Sequence, residues 1–252
     1  MTGFAVVTGA GSGLGRALAV ELVRRGLPVA GFGRRLEALQ ETGRIAGAGF
    51  IPVMVDVADA AAVATAFAAL PEPVTILINN AAVYPRRDIL DETPISLMQT
   101  IAINLGGVIA CTDAALRQMI LTGHGRIVNV STFADVAPIP ASAAYATSKG
   151  AARIYSRALV ADLADRFPGI VINDWMPGML DTGMGLPQGL DPAIAARWGA
   201  ELAMWHDSSL TGTLFERDAE LLPPRSLKGR IKDRVLLRPR AKSRRLTGHS
   251  SD

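Results

Sequence analysis

Six short apolar runs, spaced along the first 176 residues and separated by stretches of helical pattern, constrain this chain more than any other feature. They fall at residues 4–8, 27–32, 50–55, 74–78, 125–131 and 171–176. Runs this short that stay apolar on both alternating faces read as strands covered by helices on each side, as in a parallel sheet. The intervening segments supply the helices: Arg16 to Arg25, an Ala-rich segment to Leu70 with Asp59 as its N-cap, 95–121 and 142–167. The expected fold is therefore α/β, a doubly wound parallel sheet of about seven strands with helices on both faces, the last strand at 211–215. Right-handed crossovers put every strand's C-terminal end on one edge. Gly9, Arg34, Asp56, Asn79, Thr132 and Pro177 all follow strand ends, so that edge is the expected binding site.

The first strand, Phe4–Thr8, runs into Gly9-Ala-Gly-Ser-Gly13-Leu-Gly15 and a helix. Glycines permit a tight turn and close approach of a pyrophosphate to the free N–H groups of the helix N-terminus. The second strand ends in Gly33-Arg34-Arg35 without an acid. In dinucleotide sites an acid here bonds the ribose 2′-hydroxyl of NAD, and an arginine accommodates the 2′-phosphate of NADP. The pattern favours NADP over NAD; the other reading is two solvated arginines opening a helix.

Tyr145 and Lys149 are four residues apart, which places them on one helix face. An ammonium beside a phenol favours phenolate, so the expectation is a Tyr145 pKa below its usual value of about 10 and a tyrosine able to exchange a proton with an alcohol or ketone. In the 95–121 helix, Asn104 precedes Gly106-Gly107, which predicts close packing or a local distortion.

The chain has 252 residues and one cysteine, Cys111, which cannot form an intrachain disulfide. No apolar run approaches the ~20 residues of a membrane span, and the N-terminus lacks a basic leader pattern. The expectation is a cytoplasmic protein with no membrane, nucleic-acid or metal partner. Residues 225–252 hold ten Lys/Arg against two Asp, a net of +8, which leaves −5 for residues 1–224 of the +3 total. The organisation read from this is one domain over 1–224 and a basic tail over 225–252. Like charges at this density predict mobility from about Pro239 unless a partner chain or the acidic body holds the tail; docking is the expectation for 225–238, with full disorder or a nucleic-acid or membrane role as the alternatives.

These residues together resemble the short-chain dehydrogenase/reductase family in its single-domain, Rossmann-like branch. The resemblance covers roughly residues 4–182 and rests on Thr8-Gly9 through Gly15, Asp56, Asn79-Asn-Ala-Ala82, Asn104, Ser131-Thr132, Tyr145-x-x-x-Lys149 and Pro177-Gly178 with Thr182. It implies an NAD(P)-dependent oxidoreductase moving a hydride between a nicotinamide cofactor and a small alcohol or ketone. Tyr145 would be the acid/base, Lys149 would tune it and hold the nicotinamide ribose, and Asn104 would distort its helix and hold a water linking Lys149 to solvent. The cofactor would meet Gly9, Ser12, Gly13, Leu14, Gly15, Gly33, Arg34, Arg35, Asp56, Val57, Asn80, Ala81, Tyr145, Lys149, Pro177, Gly178 and Thr182. Asp56 would lie at the adenine, and Pro177, Gly178 and Thr182 along the nicotinamide. The family places a serine thirteen residues before the tyrosine; here that position is Thr132, with Ser131 beside it. Thr132 is favoured as the catalytic hydroxyl, with Ser131 taking the role if the loop is one residue longer. The family also implies a substrate lid over about 183–207 and a homodimer or homotetramer built on the two long helices. A non-catalytic nucleotide-binding regulator or scaffold of the same fold is the alternative.

Overall fold

The structure is a computed structural model that describes residues 3–222 and 242–247. Eight strands form one sheet in the order β3-β2-β1-β4-β5-β6-β7-β8. They are β1 (Phe4–Thr8), β2 (Val29–Gly33), β3 (Phe50–Met54), β4 (Val74–Asn79), β5 (Gly125–Val130), β6 (Ile170–Met176), β7 (Leu214–Glu216) and β8 (Ala219–Leu221). Every neighbouring pair is parallel except β7–β8, an antiparallel hairpin. β8 is one strand more than expected. Its three residues include the buried Glu220, so no apolar run marked it.

Helices α1 (Gly13–Arg24), α2 (Leu36–Ala46) and α7 (Pro192–Met204) cover one face; α3 (Ala60–Ala68), α5 (Gly107–Thr122) and α6 (Ala143–Leu163) cover the other. β1 is buried at every residue and β4 at all but one, as two-faced covering requires. The helix starts are chemically marked. Asp59 accepts from the Ala61 and Ala62 amides, and Thr93 forms a capping box with Ser96 at α4 (Pro94–Ile101).

The stretch Pro94–Thr122 is long and apolar enough, by length and composition, to cross a membrane, with 39% of its most apolar window buried. Polar Gln99, Thr100, Asn104 and Thr112 interrupt the run, which is why it was not visible as one. Here one face of it joins the core: Cys111, Ala115 and Met119 pack under β1, β4 and β5. Between α4 and α5 it widens into a π turn, Ala102–Gly106, centred on the fully buried Asn104. Gly107 follows because a Cβ there would meet Val57 at 2.6 Å. The double glycine thus marks both a distortion and a close approach.

The 183–207 segment divides in two. Residues 183–186 line the large cavity, whereas α7 is a core helix that buries Ala195, Ala196, Ala200 and Ala203. Gly199 lets α7 close onto Trp175, which a Cβ would meet at 2.6 Å. Trp175 is fully buried, and Trp198 and Trp205 pack partly buried on the same cluster.

The segment 225–238 lies outside the described residues, but 242–247 does not float free. It runs antiparallel beside β8, bridging Ala219 and Arg245, with Glu220 N donating to Arg244 O at 2.9 Å and Leu246 N to Asp218 O at 2.7 Å. Arg244 forks onto Glu220 at 2.7 and 2.8 Å, and Arg245 reaches Asp218 at 2.8 Å. Leu246 is 2% exposed in the α1/α7-side core. The acidic body holds this part of the tail, which lies beyond Pro239 and C-terminal to the segment expected to dock.

Leu246→Ala should lower unfolding stability by ~2–4 kcal/mol, the range for emptying a buried leucine site. Arg245→Ala, at a largely exposed ion pair, should cost less than ~1 kcal/mol. Urea unfolding of the two variants checks this, and equal losses would show that Leu246 does not anchor the segment.

Candidate active site

A cavity of about 1560 Å³ runs along the C-terminal edge of the strands. That exceeds the ~300–1,000 Å³ of a pocket for one small ligand, leaving room for an elongated ligand and a second molecule beside it. At one end lie Gly33 at the tip of β2, Arg34 and Arg35 beyond it, and Asp56 and Val57 after β3; in the middle lie Gly9, Ser12 and the first residues of α1, Gly13–Gly15, with Asn80 and Ala81 after β4; at the other lie Ser131, Thr132, Tyr145, Lys149, Pro177, Gly178 and Thr182. The topology explains the gathering, since these residues follow β1–β6 or begin the helices those strands feed. Of the strand-end and motif residues singled out in the sequence, Asn79 is buried at the end of β4 and does not line the cavity, and neither does Asn104. Asn104 lies one layer behind, accepting from Val83 N at 2.8 Å and donating to Val83 O at 2.9 Å and Ser148 Oγ at 3.0 Å. It therefore ties the π turn to the loop after β4 and to α6.

The α1 N-terminus faces this cavity without a side-chain cap, because Ser12 makes no capping hydrogen bond. Its first amides are open to an anion. Gly9 at φ 70° and Gly13 at φ 51° make the turn in the left-handed region. Thr8 Oγ1 accepts from the Asn80 and Ala81 amides, both at 2.9 Å, locking the β1 turn to the end of β4.

Beyond β5 the arrangement tightens. Lys149 is 4% exposed and donates to Val130 O at 2.7 Å. Burial pushes its pKa down to about 8, opposed by the Asp174 carboxylate. Burial pushes Tyr145 up from 10.0, the neighbouring Thr132 hydroxyl lowers it in part, and Tyr84 adds to the rise. This corrects the expected depression of Tyr145. Spacing on a helix says that two side chains share a face; it does not say that the ammonium points at the phenol, and here it points at the end of β5. Tyr84 stacks on Tyr145 at 4.5 Å, and the Arg86 guanidinium lies 5.4 Å over Tyr84 while bonding the Met184 and Gly185 carbonyls, each at 2.9 Å. Ser131 is 9% exposed and its amide continues the sheet to Trp175 O, whereas Thr132 begins the loop and its hydroxyl accepts from Ala134 N at 3.2 Å.

A buried polar layer supports this loop. Arg153, one turn beyond Lys149, donates to Thr132 O at 2.9 Å and sits 3.0 Å from Asp135, an ion pair rather than an aligned hydrogen bond. Asn79, Asn129, Ser156 and Asp174 form a chain of hydrogen bonds of 2.8, 2.8 and 2.9 Å across β4, β5, α6 and β6. Tyr84, Arg86, Arg153 and Asp174 carried no motif in the sequence. The spacing Lys149–Arg153–Ser156 down one face of a long helix was the available signal for the polar layer.

A profile of the short chain dehydrogenase family matches residues 3–191. The chain belongs to that family. Among named relatives, 2-(R)-hydroxypropyl-CoM dehydrogenase of Xanthobacter autotrophicus is 35% identical over 194 residues, covering 73% of this chain and 77% of its own length. Galactitol 2-dehydrogenase (L-tagatose-forming) of Cereibacter sphaeroides is 33% identical over 200 residues, covering 77% and 78%. Among solved structures, serine dehydrogenase from Escherichia coli superposes with a TM-score of 0.76 at 25% identity, over 84% of this chain and 96% of that one. This short-chain dehydrogenase is thus an oxidoreductase of the class acting on CH–OH and C=O groups.

Asp174 is an unusual interior group for this site. Burial raises its pKa from 3.8 to about 6, with Ser156, Arg153 and Arg157 opposing the rise. The folded state then holds a proton that the unfolded state releases, so stability falls as pH rises from about 4 to about 6, by up to ~3 kcal/mol. Asp174→Asn removes that loss. Its stability advantage over the wild type should grow through this window, read from urea midpoints at successive pH values; a constant difference would show that Asp174 does not titrate there.

Proposed function

We infer that this short-chain dehydrogenase uses NADP(H) in preference to NAD(H) and interconverts a hydroxyl and a ketone on a small molecule. One observation carries the reading: a single cavity joins Tyr145, Lys149 and Thr132 to an uncapped helix N-terminus and to Arg34 and Arg35 at the end of β2. The fit of a nicotinamide dinucleotide rests on three features. The volume admits it with a substrate, the α1 amides lack an internal acceptor, and two guanidinium groups with no acid at the strand tip suit a 2′-phosphate. Gly33, Asp56 and Val57 would flank the adenosine, Asn80 and Ala81 the middle, and Pro177, Gly178 and Thr182 the nicotinamide.

The bound cofactor would supply or accept the hydride. This chain's residues handle the proton. Tyr145, held protonated by burial, is an acid ready to donate to a ketone oxygen; in the other direction it needs the Lys149 charge to stabilise phenolate. Thr132 stands beside the phenol to orient the substrate oxygen, and Asn104 holds the loop through Val83. The exposed Ile95, Met98, Leu121 and Ile154 on α4, α5 and α6 support pairing of these helices with a second copy; light scattering that returned a monomer would remove that assembly.

Tyr145→Phe should lower turnover by ~10² or more, the range for losing a general acid/base, with NADPH still bound. Thr132→Ala should cost more kcat than Ser131→Ala. NADPH oxidation with a ketone panel reads both, and near-normal activity of the Tyr145 variant would end the mechanism. Arg34→Ala should cut the NADPH-over-NADH binding ratio roughly tenfold or more, since a charge-assisted phosphate contact is worth ~1.5–3 kcal/mol. Tighter NADH binding by the wild type would overturn the cofactor reading.

A further inference from the structure

Arg217 is the first residue of the two-residue turn between β7 and β8, and its φ is 51°. Turns of this kind take glycine at such positions without strain, so an arginine here is an outlier that asks for a use. The backbone is pinned from both sides. Arg217 N donates to Met176 O at 2.8 Å, and the buried Trp175 donates from Nε1 to Arg217 O at 3.0 Å. The side chain lies flat across Gly178, where a Cβ would meet Arg217 Nε at 3.1 Å, and it lines the cavity.

Among the described residues, no hydrogen bond or ion pair reaches the Arg217 guanidinium, although acids flank it on both sides. Asp218 is committed to Arg245 of the C-terminal segment, and Glu216 lines the cavity without pairing to Arg217. Arg86, the cation on the facing lip, is engaged with the Met184 and Gly185 carbonyls. Arg217 is also remote from the proposed phosphate contacts. From β2 to β7 there are five strand spacings, ~24 Å at ~4.8 Å each, and from β1 to β7 four, ~19 Å. Its strand β7 lies beyond β6 from β1, and its side chain approaches Gly178 in the loop after β6.

We propose that Arg217 is the substrate's anion subsite: the enzyme acts on a hydroxy or oxo compound that carries a carboxylate, whose reacting carbon faces Tyr145 while its carboxylate is held by Arg217. Arg217 is exposed at the cavity wall, where its planar guanidinium can donate two parallel hydrogen bonds to a carboxylate. The Asp218 carboxylate faces the C-terminal segment, 2.8 Å from Arg245, rather than pairing with Arg217. The Arg217 subsite deepens the dehydrogenase reading and rests on it.

The test uses the full chain with NADPH and a series of oxo acids, 2-oxohexanoate to 5-oxohexanoate, each against its methyl ester. NADPH and NADH binding are first measured by nucleotide fluorescence, which reports the dehydrogenase reading on its own. Calorimetric binding and kcat/KM then give the acid-over-ester ratio. At least one acid should be preferred by ~10-fold or more, the effect of a charge-assisted contact. The ratio should fall toward unity in Arg217→Gly, a substitution that suits the φ of 51°, and recover in part in Arg217→Lys. If nucleotide binds and no acid exceeds its ester, or if Arg217→Gly leaves the ratio intact, the proposal is overturned. If neither nucleotide binds, the dehydrogenase reading falls and takes this proposal with it.

Discussion

A parallel strand pair cannot be joined by a tight turn; each return needs a crossover, and here helices provide it. That requirement decides where chemistry can sit in this molecule. Because β1 to β6 all point the same way, the loops leaving them share one edge, and the helices that follow start there with free amides. The strand order reverses between β1 and β4, so the loops after these two part and leave a crevice. Thr8 Oγ1 spans that crevice at its floor by holding the Asn80 and Ala81 amides. The 1560 Å³ cavity is this crevice extended sideways along the strand ends. Its length follows from strand spacing, and its contents follow from which residue ends each strand.

The far end of that edge carries polar groups into the interior, where each must be matched. Lys149 is spent on the Val130 carbonyl, and Arg153 on Thr132 O and Asp135. Asn79, Asn129, Ser156 and Asp174 hydrogen-bond one another in sequence through the sheet, with Asn79 Oδ1 left unpaired among the described residues. An apolar layer would pack as densely without desolvation cost. What the polar layer adds is position: it ties β4, β5, β6 and α6 to the loop that carries Thr132, so that the phenol and the hydroxyl meet at a fixed place. The Asn104 π turn does the same from the other side, holding Val83 at both its donor and its acceptor.

How much of this was legible in the sequence follows from what pattern can encode. Five of the six main strands were legible because burial on both faces favours apolar runs, while β3, at the sheet edge, is an apolar run that leaves Ile51 and Met54 exposed. The strand ends named the cavity residues because topology puts them there. β8 was not, since a three-residue strand with a buried Glu220 has no apolar period. α7 was read only as part of a lid; its helical face is made of alanines and Gly199, small residues chosen for closeness to Trp175 rather than for hydrophobic contrast. The direction of the Tyr145 shift was misread because it depends on burial and on Tyr84, which lies in a loop more than fifty residues away in sequence. Asp174 and Arg217 sit at positions whose meaning comes only from what folds around them.

The basic tail shows how a composition argument can be right about energy and still miss a segment. Ten cations in 28 residues do repel, and most of the run has little apolar surface to offset ordering. Residues 242–247 are held because three gains fall on consecutive residues. Arg244 meets Glu220, whose side chain is only 7% exposed, in a two-bond fork that lowers the Glu220 pKa. Arg245 meets Asp218, an exposed pair worth at most ~1 kcal/mol. Leu246 leaves water entirely, worth ~1.5–3 kcal/mol for a leucine. The leucine therefore outweighs the surface ion pair, and the main-chain bonds to Asp218 and Glu220 direct it into the core. Docking there also covers β8, which would otherwise end the sheet with unpaired amides and carbonyls open to another chain. Charge brings this segment to the acidic body, and one buried side chain with a strand edge holds it there.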